Sequence, residues 1–298
     1  MSKENWFSQI QEDVLWHYTT TCQLENFIGE NKCLNVNTFK KTNDIKEFEH
    51  GREIFQEAVS GLSKLAGIGH WNQECKDNTP DFFNAFTQSK YIFCMSPWRD
   101  QVAMWKVYPR YIHCGIAIGF DIKKIKEKLR NFIDKPKEKK TLLSPFDGQE
   151  IKNVRDQIHF DYCLYDRQQA ISDAQHYTMK FFNWETENDP SVSDCNDLLK
   201  LQLLFLQEEI TSRYKNESFA YEKEVRISYW LCPQKGKDGT FEPAPDSIPL
   251  FPIKDAISQI IVSPLADFKT TQRELELIMQ RNHIQIDIQR SNSTYREI

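Results

Sequence analysis

Residues 218–231 read SFAYEKEVRISYWL, and the other elements of the chain are placed around this stretch. Phe219, Tyr221, Val225, Ile227, Tyr229 and Leu231 are apolar or aromatic, and most recur every second residue, so the spacing predicts a β-strand. Residues two apart on a strand share a face, which would align Glu222, Glu224 and Arg226. Two carboxylates and a guanidinium on a strand whose other face is apolar are costly unless they have partners or work. The alternative is an edge strand with a solvated charged face. The stretch by itself leaves both open.

The chain has 298 residues, of which 40% are hydrophobic and 13% aromatic, so it is globular with ample core. A single domain over residues 1–298 is expected, with 134–150 and 183–196 as linker or insertion loops. The net charge of −5 is spread through the chain and gives no global case for a nucleic-acid or anionic-membrane partner. No apolar run reaches the length of a membrane span, and Met1–Ile10 lacks a signal-peptide core, so a cytoplasmic location without a membrane partner is expected. Eight cysteines without a CxxC pair read as buried thiols. His70 and Cys75 lack further ligands at metal spacing, so no metal is expected.

In chain order, Val14–Tyr18 reads as a strand. Thr20 with Gln23 is a capping-box signature for a helix carrying Leu24, Phe27 and Ile28, and Cys33–Val36 returns as a strand. His17 thus ends a strand just before a turn, a usual place for a ligand-facing residue; a satisfied core histidine is the alternative. A helix is expected over 45–65. Tyr91–Met95 is a strand closed by Ser96 and Pro97, and Asp100 opens a helix with Val102, Trp105 and Tyr108 at helical spacing. Trp98, Trp105 and Tyr108 are either core or a flat surface for a planar ring. Strands at 115–120, 158–164, 257–262 and 284–288, with helices at 166–182, 198–214 and 270–280, complete an α+β pattern without βαβ rhythm. No GxGxxG, P-loop or GxSxG is present.

LWHYTT, FCMSPWRDQVAMWKVY, GIAIGFD, YEKEVRI, IIVSPL and the closing IQIDIQRSNSTY together resemble a bacterial family catalogued as a domain of unknown function, which opens on HYT and carries YExEWR. Val225 stands where that family usually has Trp. WHYTT with its helix, and Glu224-Val225 late in the chain, are also similar to the DNA-targeting ADP-ribosyltransferase toxins. That resemblance implies a mixed, split β-sheet core of the ADP-ribosyltransferase fold with NAD as substrate between the sheets. It places His17, with Tyr18 and Thr19, on a ribose of NAD and Glu224 on the nicotinamide ribose. Tyr18, Trp98 or Trp105 would stack on nicotinamide, and Ser96 would join the pocket.

The chemistry suits these residue types. Cleaving the nicotinamide bond passes through an oxocarbenium-like state that a fixed carboxylate stabilises. Glu222 would activate an acceptor, and Arg226 would pair with Glu224 or a pyrophosphate oxygen. The expected function is transfer of ADP-ribose from NAD to a protein or nucleic-acid acceptor, in a toxin or anti-phage setting that comes from the resemblance alone. NAD hydrolysis without an acceptor, and a non-enzymatic nucleotide- or partner-binding sensor, are the alternatives.

Overall fold

The computed structural model describes residues 10–39, 46–62, 80–108, 114–135, 140–143, 150–154, 157–188, 203–204, 206–208, 210–233, 236 and 240–294. Its strands form two main sheets, and the chain mixes α and β elements throughout. The first sheet holds β1 (Val14–Thr20), β4 (Gly115–Asp121), β10 (Ile257–Val262) and β11 (Asp287–Arg290), in the order β1-β4-β10-β11. The second holds β7 (Gln157–Tyr162), β8 (Val225–Trp230), β3 (Lys90–Met95), β2 (Asn35–Thr38) and β9 (Ser247–Pro249), in the order β7-β8-β3-β2-β9. β5 (Lys140–Leu143) and β6 (Glu150–Val154) pair separately. The two main sheets touch where β1 meets the end of β3: Trp16 N donates to Ser96 O at 2.7 Å and Ser96 N to Trp16 O at 2.9 Å.

The largest core lies between the sheets. Leu15, Ile116, Ile118 and Phe120 come from one, and Phe93, Val225 and Ile227 from the other. Three helices seal it: α1 (Thr21–Ile28), α5 (Ile122–Asp134) and α7 (Phe268–Arg281). Asp121 and Asp267 start α5 and α7 by accepting from Lys124 N and Thr270 N, which satisfies amides that have no partner inside the helix. A second core, around Phe55, Phe86 and Leu204, gathers α2 (Glu47–Ser60), α3 (Pro80–Gln88) and α6 (Arg167–Asn188). A third, smaller one packs Trp16, Tyr18, Ala117 and Ile261 under the short helix α4 (Val102–Val107). Gly119 faces Trp16 across the β1–β4 ladder, and a Cβ there would meet the indole at 3.0 Å, so the glycine lets the ring lie close on the sheet.

The opening stretch departs from its expected form in two ways. Residues Glu217–Glu222 form a 3₁₀ turn, not strand, because the Asn216 side chain accepts from Ser218 N and nucleates it. Lys223, in the left-handed region at φ 42°, then redirects the chain into β8. Glu222 is therefore outside the strand register that Glu224 and Arg226 flank. Nor is β8 an edge: β7 and β3 pair with it on both sides, and all six of its residues are buried.

Smaller shifts follow the same logic. α1 forms as expected, but Thr20 makes no capping bond and its Oγ1 lies 3.0 Å from Cys22 Sγ. β2 sits two residues later than expected. The helix expected to end at 182 runs on to Asn188, into the expected loop 183–196, whose remainder lies outside the described residues. The expected linker 134–150 contributes β5 and the first residue of β6, with 136–139 and 144–149 outside the described residues, as are His70 and Cys75. Among the described residues no helix is long and apolar enough to cross a membrane.

The last strand is β11, parallel to β10, while Ile284 and Ile286 pack against the main core just before it. Each well-buried isoleucine contributes about 1.5–3 kcal/mol. Deleting residues 282–298 is accordingly expected to lower the melting temperature by at least about 5 °C or to yield insoluble protein. Differential scanning fluorimetry checks this; an unchanged transition would show that the tail is dispensable.

Candidate functional site

The outward face of the five-stranded sheet is polar at its centre. Cys94 of β3, Arg226 of β8 and Asp161 of β7 lie in one cross-strand row. The segment 211–222 folds over that row. Arg226 holds Glu224 in a fork, Nε to Oε1 at 2.8 Å and Nη2 to Oε2 at 2.9 Å, and its Nη1 donates to Ser212 O at 2.8 Å. Lys215 Nζ lies 2.6 Å from Glu224 Oε2 and 2.6 Å from Glu222 Oε2, and 4.8 Å over the ring of Phe219. Two carboxylates and two cations, all at most 4% exposed, thus balance each other away from water, which is what buried charge requires.

The two carboxylates are not equivalent. Burial alone would raise the Glu224 carboxyl, but Arg226 and Lys215 outweigh it and hold the group well below the usual carboxylate range. Burial pushes Glu222 up, and the opposing pull of Lys215 does not cancel it. Glu222 Oε1 is buried and no donor meets it in full hydrogen-bond geometry, although the Tyr108 hydroxyl stands close enough to pull the carboxyl down. Ser96 Oγ donates to Glu222 O at 2.7 Å, fixing the backbone of this residue to the point where the sheets meet.

A pocket opens at that junction. His17 and Tyr18 of β1, Met104 and Tyr108 of the α4 region, and Glu222 and Glu224 are among the residues that line it, around a cavity of about 30 Å³. That is room for a water or two, so a nicotinamide-sized ring enters only if the side chains lining the pocket move apart. His17 Nδ1 lies 2.8 Å from Cys94 O, and its ring stacks on Phe93 at 4.6 Å. A carbonyl only accepts, so Nδ1 carries the hydrogen and Nε2 is left as an acceptor. Burial lowers the His17 pKa against the help of the Cys94 carbonyl. Burial, reinforced by Glu224, pushes the Cys94 thiol well up, so it is a neutral thiol and not a nucleophile. Tyr108 is likewise raised, by burial first and by Glu224 next.

Because an unfolded histidine titrates near 6.5 and the folded His17 lower, this residue's contribution to stability is lost as the pH falls below about 6.5. The expected NMR result is a His17 ring titration midpoint below 6.5. A midpoint at or above 6.5 would contradict the buried geometry.

The structure brings His17, Tyr18, Glu222 and Glu224 to one pocket. Ser96 and Arg226 stand one contact behind it, on Glu222 and Glu224 respectively. Thr19 and Trp105 do not line it. Trp105 is buried, donates from Nε1 to Asp100 at 2.6 Å and meets Tyr18 edge to face at 4.8 Å, so its face is not open to a substrate ring. Trp98 donates from Nε1 to Tyr221 O at 3.1 Å, which ties the loop after β3 to the 3₁₀ turn. Sequence reasoning missed Lys215 and Cys94, whereas Tyr108, read as either core or a surface for a ring, lines the pocket. Lys215 sits in TSRYKNES, which reads as an ordinary polar loop, and nothing in its spacing marks a buried ammonium. Among the described residues no group of three or more His, Cys, Asp or Glu is placed to hold a metal ion.

A family model described as "Protein of unknown function (DUF2971)" matches residues 104–227, a span that includes Tyr108, Lys215, Glu222 and Glu224. No curated protein and no solved structure matches the chain.

Proposed function

We propose that the chain is an NAD-cleaving enzyme of the ADP-ribosyltransferase type, with the nicotinamide end of NAD in the pocket between the sheets. The observation that carries this reading is the convergence of His17 with Glu222 and Glu224, residues from opposite ends of the chain, on one small aromatic-walled pocket. The split arrangement of two sheets joined at the Trp16–Ser96 bridge supports it. The pocket widens by side-chain movement to admit the nicotinamide ring, and the remainder of NAD lies outside it.

The division of labour follows from charge and hydrogen bonding. Both oxygens of Glu224 are occupied by Arg226 and Lys215, so it anchors the cluster. Glu222, with no donor in full hydrogen-bond geometry on Oε1, is the carboxylate that faces the ribose. As the C1′–N bond breaks, nicotinamide leaves as a neutral ring with the bonding pair, and the ribose carries positive charge that Glu222 stabilises. The incoming hydroxyl or amine then bonds to C1′ and gives its proton to Glu222. His17 Nε2 accepts from a ribose hydroxyl.

A second reading is favoured by the charge balance itself. Two carboxylates matched to two cations make a sound structural brace, and a non-catalytic binding module would need no more. Incubation with NAD labelled in the adenylate part separates the readings. Release of nicotinamide is expected, with label on a protein or nucleic-acid acceptor for transfer and free ADP-ribose for hydrolysis. Intact NAD after prolonged incubation with a range of acceptors would leave the brace.

A further inference from the structure

A second, more open cleft lies toward the far edge of the first sheet. Arg99 and Val102, at the entrance to α4, face Arg290 and the residues after β11, with Ile261 of β10 between them, around a cavity of about 400 Å³. This is well within the size of small-molecule sites. Asn292, Ser293 and Thr294 add polar groups along one wall.

The two guanidiniums determine what fits. The Arg99 head lies 5.8 Å over the Trp16 ring and donates to Gln289 Oε1, which holds it in place with donors to spare. Arg290 is exposed at the end of its strand. Asp100 keeps its negative charge, but its oxygens are turned into the wall: it accepts from Trp105 Nε1, Ser291 Oγ and Asn292 N, each at 2.6 Å. Two guanidiniums against one carboxylate leave the lining of the cleft net positive. Planar guanidiniums pair with phosphate oxygens two at a time. Val102, 39% exposed, gives an apolar surface on which a flat base can rest, with the buried Ile261 behind it.

We propose that this cleft binds a free nucleotide, its phosphates on Arg99 and Arg290 and its base on Val102. The proposal is independent of NAD cleavage in the first pocket. ADP binding to the full chain, measured by calorimetry, tests it with adenosine and inorganic phosphate as competitors. ADP is expected to bind, phosphate to compete and adenosine to bind more weakly than ADP. Arg290→Ala and Arg99→Ala, with melting temperatures as the folding control, are each expected to weaken ADP fivefold or more. Absence of ADP binding to the parent, or a loss below fivefold in a folded Arg290→Ala variant, would overturn the proposal.

Discussion

Replacing Lys215 by methionine is expected to cost the fold about 3–5 kcal/mol and to lower the melting temperature by roughly 10 °C. Methionine nearly matches the length of the lysine stem, so the loss is electrostatic and not a cavity. It leaves Glu222 and Glu224 together in a space where Lys215 Nζ had stood 2.6 Å from each. Arg226 still neutralises Glu224, whereas Glu222 loses its ion-pair partner and must take up a proton. Adding Glu222→Gln to Lys215→Met removes that need. The double variant is therefore expected to recover a good part of the loss, a coupling a thermodynamic cycle reads directly. Additive single effects would show that the ammonium does not join the two carboxylates.

Glu222→Gln is expected to slow nicotinamide release about a hundredfold, the loss typical when a group that stabilises transition-state charge is removed. The fall should be in kcat with little change in KM, because the amide keeps the shape and a hydrogen-bonding oxygen. Stability should move the other way. The folded Glu222 carboxyl is raised above its ordinary 4.5, so its contribution to stability is present below that value and lost as the pH rises through the folded-state pKa. Glutamine does not ionise and escapes that loss. The variant is expected to match the parent in acid and to be at least as stable at neutral pH, with a difference that grows as pH rises. Denaturant melts at pH 4 and pH 7 check this. A variant that is both inactive and markedly less stable at pH 7 would mark Glu222 as part of the brace alone.

The strands were legible wherever one face was plainly apolar. GIAIGFD, KYIFCM and ISQIIV form β4, β3 and β10 within a residue or two of the periodicity. Where the chain was misread, a local polar contact had overridden the pattern. Phe219 and Tyr221 alternate with polar neighbours as strand residues do, yet the Asn216 turn and the left-handed Lys223 place them in a 3₁₀ turn. That same turn lets Glu222 reach Lys215 from outside the strand. The ends of the site, His17 and Glu224, could be read from the sequence, although His17 lies inside β1, which runs on to Thr20, and not at its end. Its centre could not: a lysine in a polar segment carries no sign that burial against two carboxylates awaits it. Trp105 shows the converse limit, since aromatic spacing on a helix does not tell a packed ring from an open one.

The most direct test of the central claim is nicotinamide formation from NAD by the parent and by Glu222→Gln under identical conditions, with both shown to be folded by their melting transitions. The account predicts time-dependent nicotinamide release by the parent and about a hundredfold less by the variant. Equal release by the two folded proteins would contradict the assignment of this pocket as the place where NAD is cut, as would no release by the parent with any acceptor.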